Sequence, residues 1–428
     1  MDYTFLLYLC IIILFAKFLS ILTGKFQMPQ VVGSLLAGLL LGPAVLGSIT
    51  SALTGSSICL TSTDFLNQIA ELGVIIIMFS AGMGTSVDDL KASGKSGFLV
   101  ALIGVLVPLG AGTLLMIIFD PSLTIMQDVF MGTVLTATSV SITVETLKEM
   151  NKLSTKVGNT ILAAALIDDV LGLICLTIVT SLSGGDANIA VVLIKIVLFF
   201  VFVFVVGFAF IKFMAWYDKK VHDVNLRRFP IIGFGLCLFM AWAAESVFGV
   251  ADIIGAFAAG MIIAMTPKGK YIESKFTTIS YLLLSPIFFA NIGLKVTLSS
   301  MSPKFIIFTV ALVLTAILSK LVGCGLGAKM SGFKGKQCVQ TGLGMACRGE
   351  VALIVANNGM ALGMLPDEFM CPIIVVVVCC AIFTPIMLKM AFKGEIGVDE
   401  TSNLIKNYDL EEGAEAAAEK YFQDNQKK

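Results

Sequence analysis

The sequence predicts an all-α polytopic membrane protein of about thirteen transmembrane helices, built as an inverted-topology repeat with two crossed, broken helices. Composition is the first ground: 57% of the 428 residues are hydrophobic and only 14% charged, with a mean hydropathy of +0.96, where a soluble domain is about 45 to 50% apolar and about 25% charged. Spacing is the second, because the polar residues sit in short clusters between apolar runs of roughly 20 residues, the length that crosses a bilayer core. The third is an internal echo between the two halves. A soluble enzyme is excluded, and the zero net charge, from 29 basic and 29 acidic residues, gives no argument for nucleic acid.

In chain order the spans are Phe5–Leu22, Pro29–Leu46, Phe65–Met83, Phe98–Phe119, Val129–Leu147, Val157–Leu182, Ile189–Met214, Phe229–Phe248, Val250–Met265, Thr278–Ile292, Phe305–Leu326, Val339–Met360 and Phe369–Phe392. Each begins and ends at charges or turn residues. The first lacks a basic leader and a small-residue cleavage site, so it reads as a retained helix. The ten cysteines have no CxxC spacing and read as buried free thiols.

Orientation comes from lysine and arginine in alternate loops. One set carries sixteen, namely Lys25, Lys91, Lys95, Lys148, Lys152, Lys156, Lys219, Lys220, Arg227, Arg228, Lys268, Lys270, Lys275, Lys329, Lys334 and Lys336; the other carries two, Lys295 and Lys304. Positive loops stay in the cytoplasm, so the expectation is a multi-pass protein of the cell (inner) membrane with its N-terminus outside and its C-terminus cytoplasmic.

The echo joins residues 31–39 of the second span (VVGSLLAGL) to residues 253–261 of the ninth (IIGAFAAGM), and Ile77–Met83 of the third more loosely to Ile287–Gly293 of the tenth. Both copies lie seven spans apart, an odd number, so they run in opposite senses across the membrane. That is the pattern of an inverted-repeat transporter. The expected organisation is a transmembrane domain over residues 1–393, with repeat one at 3–182, a connector helix at 188–214 and repeat two at 229–393. An acidic cytoplasmic tail follows at 394–428; residues 395–428 hold nine acids against four lysines.

Ionisable groups at membrane depth cost about 2.5 to 3.5 kcal/mol each on insertion scales, so they mark functional sites by default. Lys17, Lys195, Lys212 and Lys389 reach span ends and snorkel. Glu71, Glu145, Glu245 and Asp252 lie near span ends or in outer halves and read as structural. Asp168 and Asp169 in mid-span six, Lys320 in span eleven, and Arg348 and Glu350 in span twelve remain.

Adjacent residues on a helix point about 100° apart, so one aspartate faces a cavity while the other meets a partner. Two buried carboxylates repel. A hard monovalent cation takes oxygen ligands, and a carboxylate that can hold either that cation or a proton is an exchange site. The hydroxyl-rich stretch Thr136–Thr143 in span five and the glycine-rich stretch Gly342–Glu350 in span twelve both read as interrupted helices, which expose carbonyls and amide dipoles at the midplane. Arg348 and Glu350 are two apart and meet only if the chain unwinds around Gly349.

These motifs resemble the cation:proton antiporter family 2, the branch of the NapA-type sodium/proton antiporters and the Kef-type potassium systems. The resemblance spans almost all of residues 3–393 and rests on Pro29–Gly33 through Gly42-Pro43, on Thr138–Thr143, on Ala165–Leu173 with its Asp168-Asp169 pair, on Ser319–Gly323 and on Arg348–Ile354. It implies a scaffold domain from spans 1 to 3 and 8 to 10, a mobile core domain from spans 4 to 6 and 11 to 13, and a homodimer. It also implies that Asp169 is the principal ion and proton carboxylate, that Asp168 pairs with Lys320, and that Thr138 and Ser139 line the site, Na+ binding at Asp169 and Asp168.

The implied activity is electrogenic Na+ (or Li+)/H+ antiport, serving pH homeostasis. No cofactor is implied, and Arg348 and Glu350 join Lys320 as charge partners. Kef-type proteins usually carry a cytoplasmic nucleotide-binding domain, and the short tail here shows no glycine-rich fingerprint for one. Potassium/proton antiport is the nearest alternative. An intramembrane aspartyl protease needs its aspartates on two facing helices with a GxGD sequence, which this chain lacks, and a channel needs a pore-loop filter that is not visible. His222, between Lys220 and Arg227, reads as a solvated loop residue.

Overall fold

A computed structural model describes residues 3–26, 28–54, 56, 59–182, 188–220, 228–297 and 302–393. The expected acidic tail and His222 lie outside the described residues. All regular structure among these residues is helical. The first half holds α1 (Thr4–Lys25), α2 (Gln30–Leu41), α3 (Ser48–Thr54), α4 (Asp64–Met83), α5 (Val87–Phe119), α6 (Ile125–Thr136), α7 (Val140–Glu149) and α8 (Lys156–Leu182). A long helix, α9 (Ile189–Lys220), leads to the second half: α10 (Arg228–Ala243), α11 (Asp252–Ala264), α12 (Gly269–Ile279), α13 (Ser285–Leu294), α14 (Pro303–Met330), α15 (Gly335–Gly344), α16 (Glu350–Ala361) and α17 (Met370–Phe392).

Eleven helices among the described residues are long and apolar enough to cross a membrane. The expected count of thirteen is therefore not reached by length and composition. The ninth expected span falls on α11, whose 13 residues rise only about 20 Å at 1.5 Å each, short of a bilayer core of about 30 Å. The twelfth falls on α15 and α16, which the chain separates at residues 345–349. The second span is also not one regular helix, since a π-helical turn at Pro43–Gly47 follows α2.

Two groups of helices pack together. In one, α5 lies against α14, α8 and α6, while α15, α16 and α17 close around them; its core includes Met116, Phe130, Leu312, Phe369 and Cys380. In the other, α2 packs between α1 and α13, and α11 between α4 and α10. The two echoing segments make reciprocal contacts there. A Cβ at Gly38 of α2 would stand 1.8 Å from the Ala290 carbonyl of α13, and one at Gly260 of α11 would stand 2.2 Å from the Phe79 carbonyl of α4. Backbone touches backbone at both crossings, which is why small residues recur there.

Apolar side chains outside these cores face outward. On α9, Ile194, Val197, Phe204 and Phe208 are exposed, as are Leu14, Phe18 and Ile21 on α1. Such a surface suits an apolar surrounding rather than water. The same physics corrects one expectation about the cysteines: all ten are free, yet Cys10 is exposed and Cys59, Cys175, Cys338 and Cys379 are only half-buried. In a bilayer an apolar residue need not be inside the protein.

Candidate functional site

Two breaks build the site. Helix α6 ends at Thr136 and α7 starts at Val140, with Ala137 and Ser139 extended between them (ψ 131° and 102°). Helix α15 ends at Gly344, and α16 starts at Glu350 after Gly349 in an extended conformation (φ −147°, ψ −152°). The breaks cross each other. The Ser139 N–H donates to the Cys347 carbonyl at 2.9 Å, and the Thr143 hydroxyl donates to the Gly344 carbonyl at 2.8 Å. These bonds satisfy backbone groups that a break would otherwise leave bare at membrane depth. The approach is close enough that a Cβ on Gly349 would stand 2.6 Å from Ser139 Oγ.

Beside the crossing runs α8, unbroken, with Asp168 and Asp169 at its middle. The Lys320 ammonium donates to Asp168 Oδ1 at 2.8 Å, and the two side chains are 0% and 2% exposed. Lys320 is carried on α14, which packs against α5. Asp169 Oδ2 is buried with no hydrogen-bond partner. One carboxylate is thus neutralised within the protein while its neighbour keeps a vacant oxygen.

Arg348 is fully buried and supports the second break. Its guanidinium donates to the carbonyls of Met345, Cys347 and Ala316 at 3.5, 3.4 and 3.3 Å, placing positive charge at the carbonyl end of α15, where a helix dipole favours it. Glu350 turns elsewhere. Its charged neighbours are Glu71, Lys295 and Asp252, whereas Arg348 lies within electrostatic reach of Asp168 and the thiols of Cys324, Cys347 and Cys380. Extended backbone at Gly349 separates them instead of bringing them together.

A cavity of about 270 Å³ reaches from the aspartates to the loop between α10 and α11, and Thr136, Thr138, Asp168, Asp169, Glu245 and Asn358 contribute polar groups to its lining. Thr138 is therefore at the cavity. Ser139 joins the crossing through its backbone, and its hydroxyl faces Ser141 at 3.4 Å and Gly349. Sequence reasoning passed over Thr133, Glu245 and Asn358, which also line the cavity. Thr133 was legible, since it lies three residues before Thr136 on the same helical face; Asn358 and Glu245 required the fold.

On the opposite, lysine-rich face lie two further cavities, of about 220 Å³ beside Lys17, Gln30 and Glu149 and about 650 Å³ beside Asp88, Asn151 and Lys270. Neither is lined by Asp168 or Asp169. The gap between helix groups is bridged on this face, where the Gln30 N–H at the start of α2 donates to Glu149 Oε2 at the end of α7 at 2.7 Å.

Comparison with known proteins bears on the family and the fold. Residues 10–394 match the family described as "Sodium/hydrogen exchanger, transmembrane". The chain is 35% identical over 394 residues to the Na(+)/H(+)-K(+) antiporter GerN of Bacillus cereus, covering 92% of this chain and 97% of that one. It is 32% identical over 385 residues to a Na(+)/H(+) antiporter of Enterococcus hirae, covering 89% and 96%. Its fold is similar to that of the sodium proton antiporter MjNhaP1 of Methanocaldococcus jannaschii at pH 8, with a TM-score of 0.65 and 18% identity, covering 92% of this chain and 97% of that one.

Proposed function

The chain belongs to the sodium/hydrogen exchanger family of transporters, and we propose that it is a secondary Na+ (or Li+)/H+ antiporter working by alternating access. The observation that carries this reading is the unequal treatment of two adjacent midplane carboxylates: Asp168 is paired with Lys320, and Asp169 keeps an unpartnered oxygen beside a cavity of about 270 Å³. A single site that holds a cation or a proton, but not both, couples the two flows. Occupancy by either one neutralises Asp169 and lets the buried site move through the membrane interior, whereas the bare carboxylate resists that move because it is charged in a low dielectric.

In this reading Thr138 supplies an oxygen ligand beside Asp169, and the crossed half-helices supply carbonyls and amide dipoles that hold the local charge balance. The helices containing the breaks, with α5, α8, α14 and α17, form the moving core; α1, α2, α4, α10, α11 and α13 form the scaffold, which pairs with a second copy. The state described has its site cavity on the lysine-poor side, which the charge asymmetry assigns to the outside of the cell membrane. On the cytoplasmic side the Gln30–Glu149 bond bridges α2 and α7.

Na+ is placed ahead of K+ because a relative is named for sodium/proton exchange alone. The K+/H+ reading has its own support, since the name of the Bacillus cereus relative includes both ions. An aspartyl protease is set aside by the family and by both aspartates sharing one helix. Proteoliposomes carrying a proton gradient test the proposal: Na+ and Li+ added in turn are expected to dissipate the gradient at lower concentration than K+, and a gradient untouched by all three ions overturns antiport.

A further inference from the structure

Among the described side chains lining the site cavity, Glu245 is the one charged group besides Asp168 and Asp169. It is carried on the scaffold, in a π-helical turn at Ala244–Phe248 that ends in Gly249 with a left-handed backbone (φ 63°). A π turn inserts a residue into the helical ladder and re-aims the side chains around it, and such turns recur at functional sites. The turn is held by hydrogen bonds from Gly249 N–H to the Glu245 carbonyl and from Val250 N–H to the Ala244 carbonyl, at 3.2 and 2.9 Å. Asp168 is buried and Asp169 half-buried, whereas Glu245 is exposed. It therefore stands at the mouth of the cavity and the aspartates at its floor.

Its neighbouring acids are engaged elsewhere. Asp252 accepts the N–H of Ile253 at 2.7 Å and lies close to the Glu71 carboxyl; neither of these two carboxyl groups lines the cavity. The Asp252 N–H lies near the Glu245 carboxylate, whose two oxygens have room for further donors or a cation.

We infer that Glu245 is the cation-capture residue of this pathway: it concentrates monovalent cations at the cavity mouth and hands them, past the Asn358 amide and Thr138, to Asp169. The inference rests on the antiport reading and on the lysine-poor face being external. An acidic group at the mouth of a cleft with low-dielectric walls focuses the field and raises both local cation concentration and on-rate, by about 10 to 1,000-fold in strongly steered systems. Glu245 belongs to the scaffold and Asp169 to the core, so a cation at the mouth passes to a group that then moves away with it.

Right-side-out vesicles loaded with acid and supplied with external 22Na+ test this. In E245Q the side chain keeps its size and its polar oxygen while the charge is gone. Initial uptake rates in E245Q are expected to show KM for external Na+ raised on the order of tenfold at low ionic strength, with the loss in KM rather than kcat. Raising the medium to about 0.5 M choline chloride is expected to shrink the gap from wild type, since screening there reaches within a few ångströms. E245A should match E245Q, and E245K should be worse than either.

A normal KM in E245Q beside a damaged E245A would reduce Glu245 to a structural residue of the π turn and overturn the inference, as would a raised KM indifferent to ionic strength. Wild-type vesicles that exchange no cation remove the antiport reading, and the inference with it. Wild-type exchange with an unchanged E245Q removes the inference alone.

Discussion

Lys320 and Asp168 form an ion pair of 2.8 Å between α14 and α8, with both side chains withdrawn from solvent. Breaking a buried pair from one side leaves an uncompensated charge, at a cost of about 3 to 5 kcal/mol, while removing both charges is often neutral. Lys320→Gln is therefore expected to lower the thermal midpoint in detergent sharply, and Lys320→Gln with Asp168→Asn to recover most of it. Equal midpoints for the single variant and the wild type contradict the pair's structural weight.

The same lysine bears on charge movement. If Na+ draws Asp168 into coordination, it competes with the 2.8 Å pairing to Lys320, and a second charged group that responds to the cation makes the cycle electrogenic. Solid-supported-membrane recordings of wild type after Na+ jumps are expected to show sustained, valinomycin-sensitive charge displacement. Exchange without such displacement means that the Asp168–Lys320 pair takes no part in charge movement.

Asp169→Asn separates function from fold. The oxygen it alters has no hydrogen-bond partner, so the variant is expected to keep or raise its thermal midpoint while losing Na+/H+ exchange in proteoliposomes. Appreciable exchange in the variant displaces Asp169 from the centre of the mechanism.

Gly349 is tested by size. An added methyl would press on Ser139, 2.6 Å from its Oγ and 2.8 Å from its Cβ, so Gly349→Ala is expected to destabilise by about 1 to 3 kcal/mol, as overpacking does. Adding Ser139→Gly clears both contacts, and the double variant should regain stability in the same melt. A harmless Gly349→Ala would mean the crossing yields more easily than its geometry implies.

Sidedness has its own measurement. With the native thiols replaced, an impermeant maleimide applied to whole cells is expected to label a cysteine at Ser56 and spare one at Lys334. The reverse pattern inverts the orientation, and with it the side on which Glu245 faces the bath.

Membrane residence, the helical class, the two interruptions and the candidate aspartates were all legible in the sequence. Each is a local property: a 20-residue apolar run has few alternatives to a spanning helix, Gly342–Gly349 weakens a helix wherever it lies, and charge at mid-span is conspicuous against its neighbours. What Asp168 and Asp169 do differently was not legible from their adjacency, because helical geometry separates two neighbours by about 100° without saying which of them meets a partner. The direction of α14 decided that, bringing Lys320 to Asp168 from 152 positions away. Tertiary structure also parted Arg348 from Glu350, and it put Glu245, which sequence position alone marks as structural, into the cavity of the aspartates. Both follow from long-range packing: a side chain's partners belong to whichever helices lie beside it, and that choice is made over the whole bundle rather than within one span.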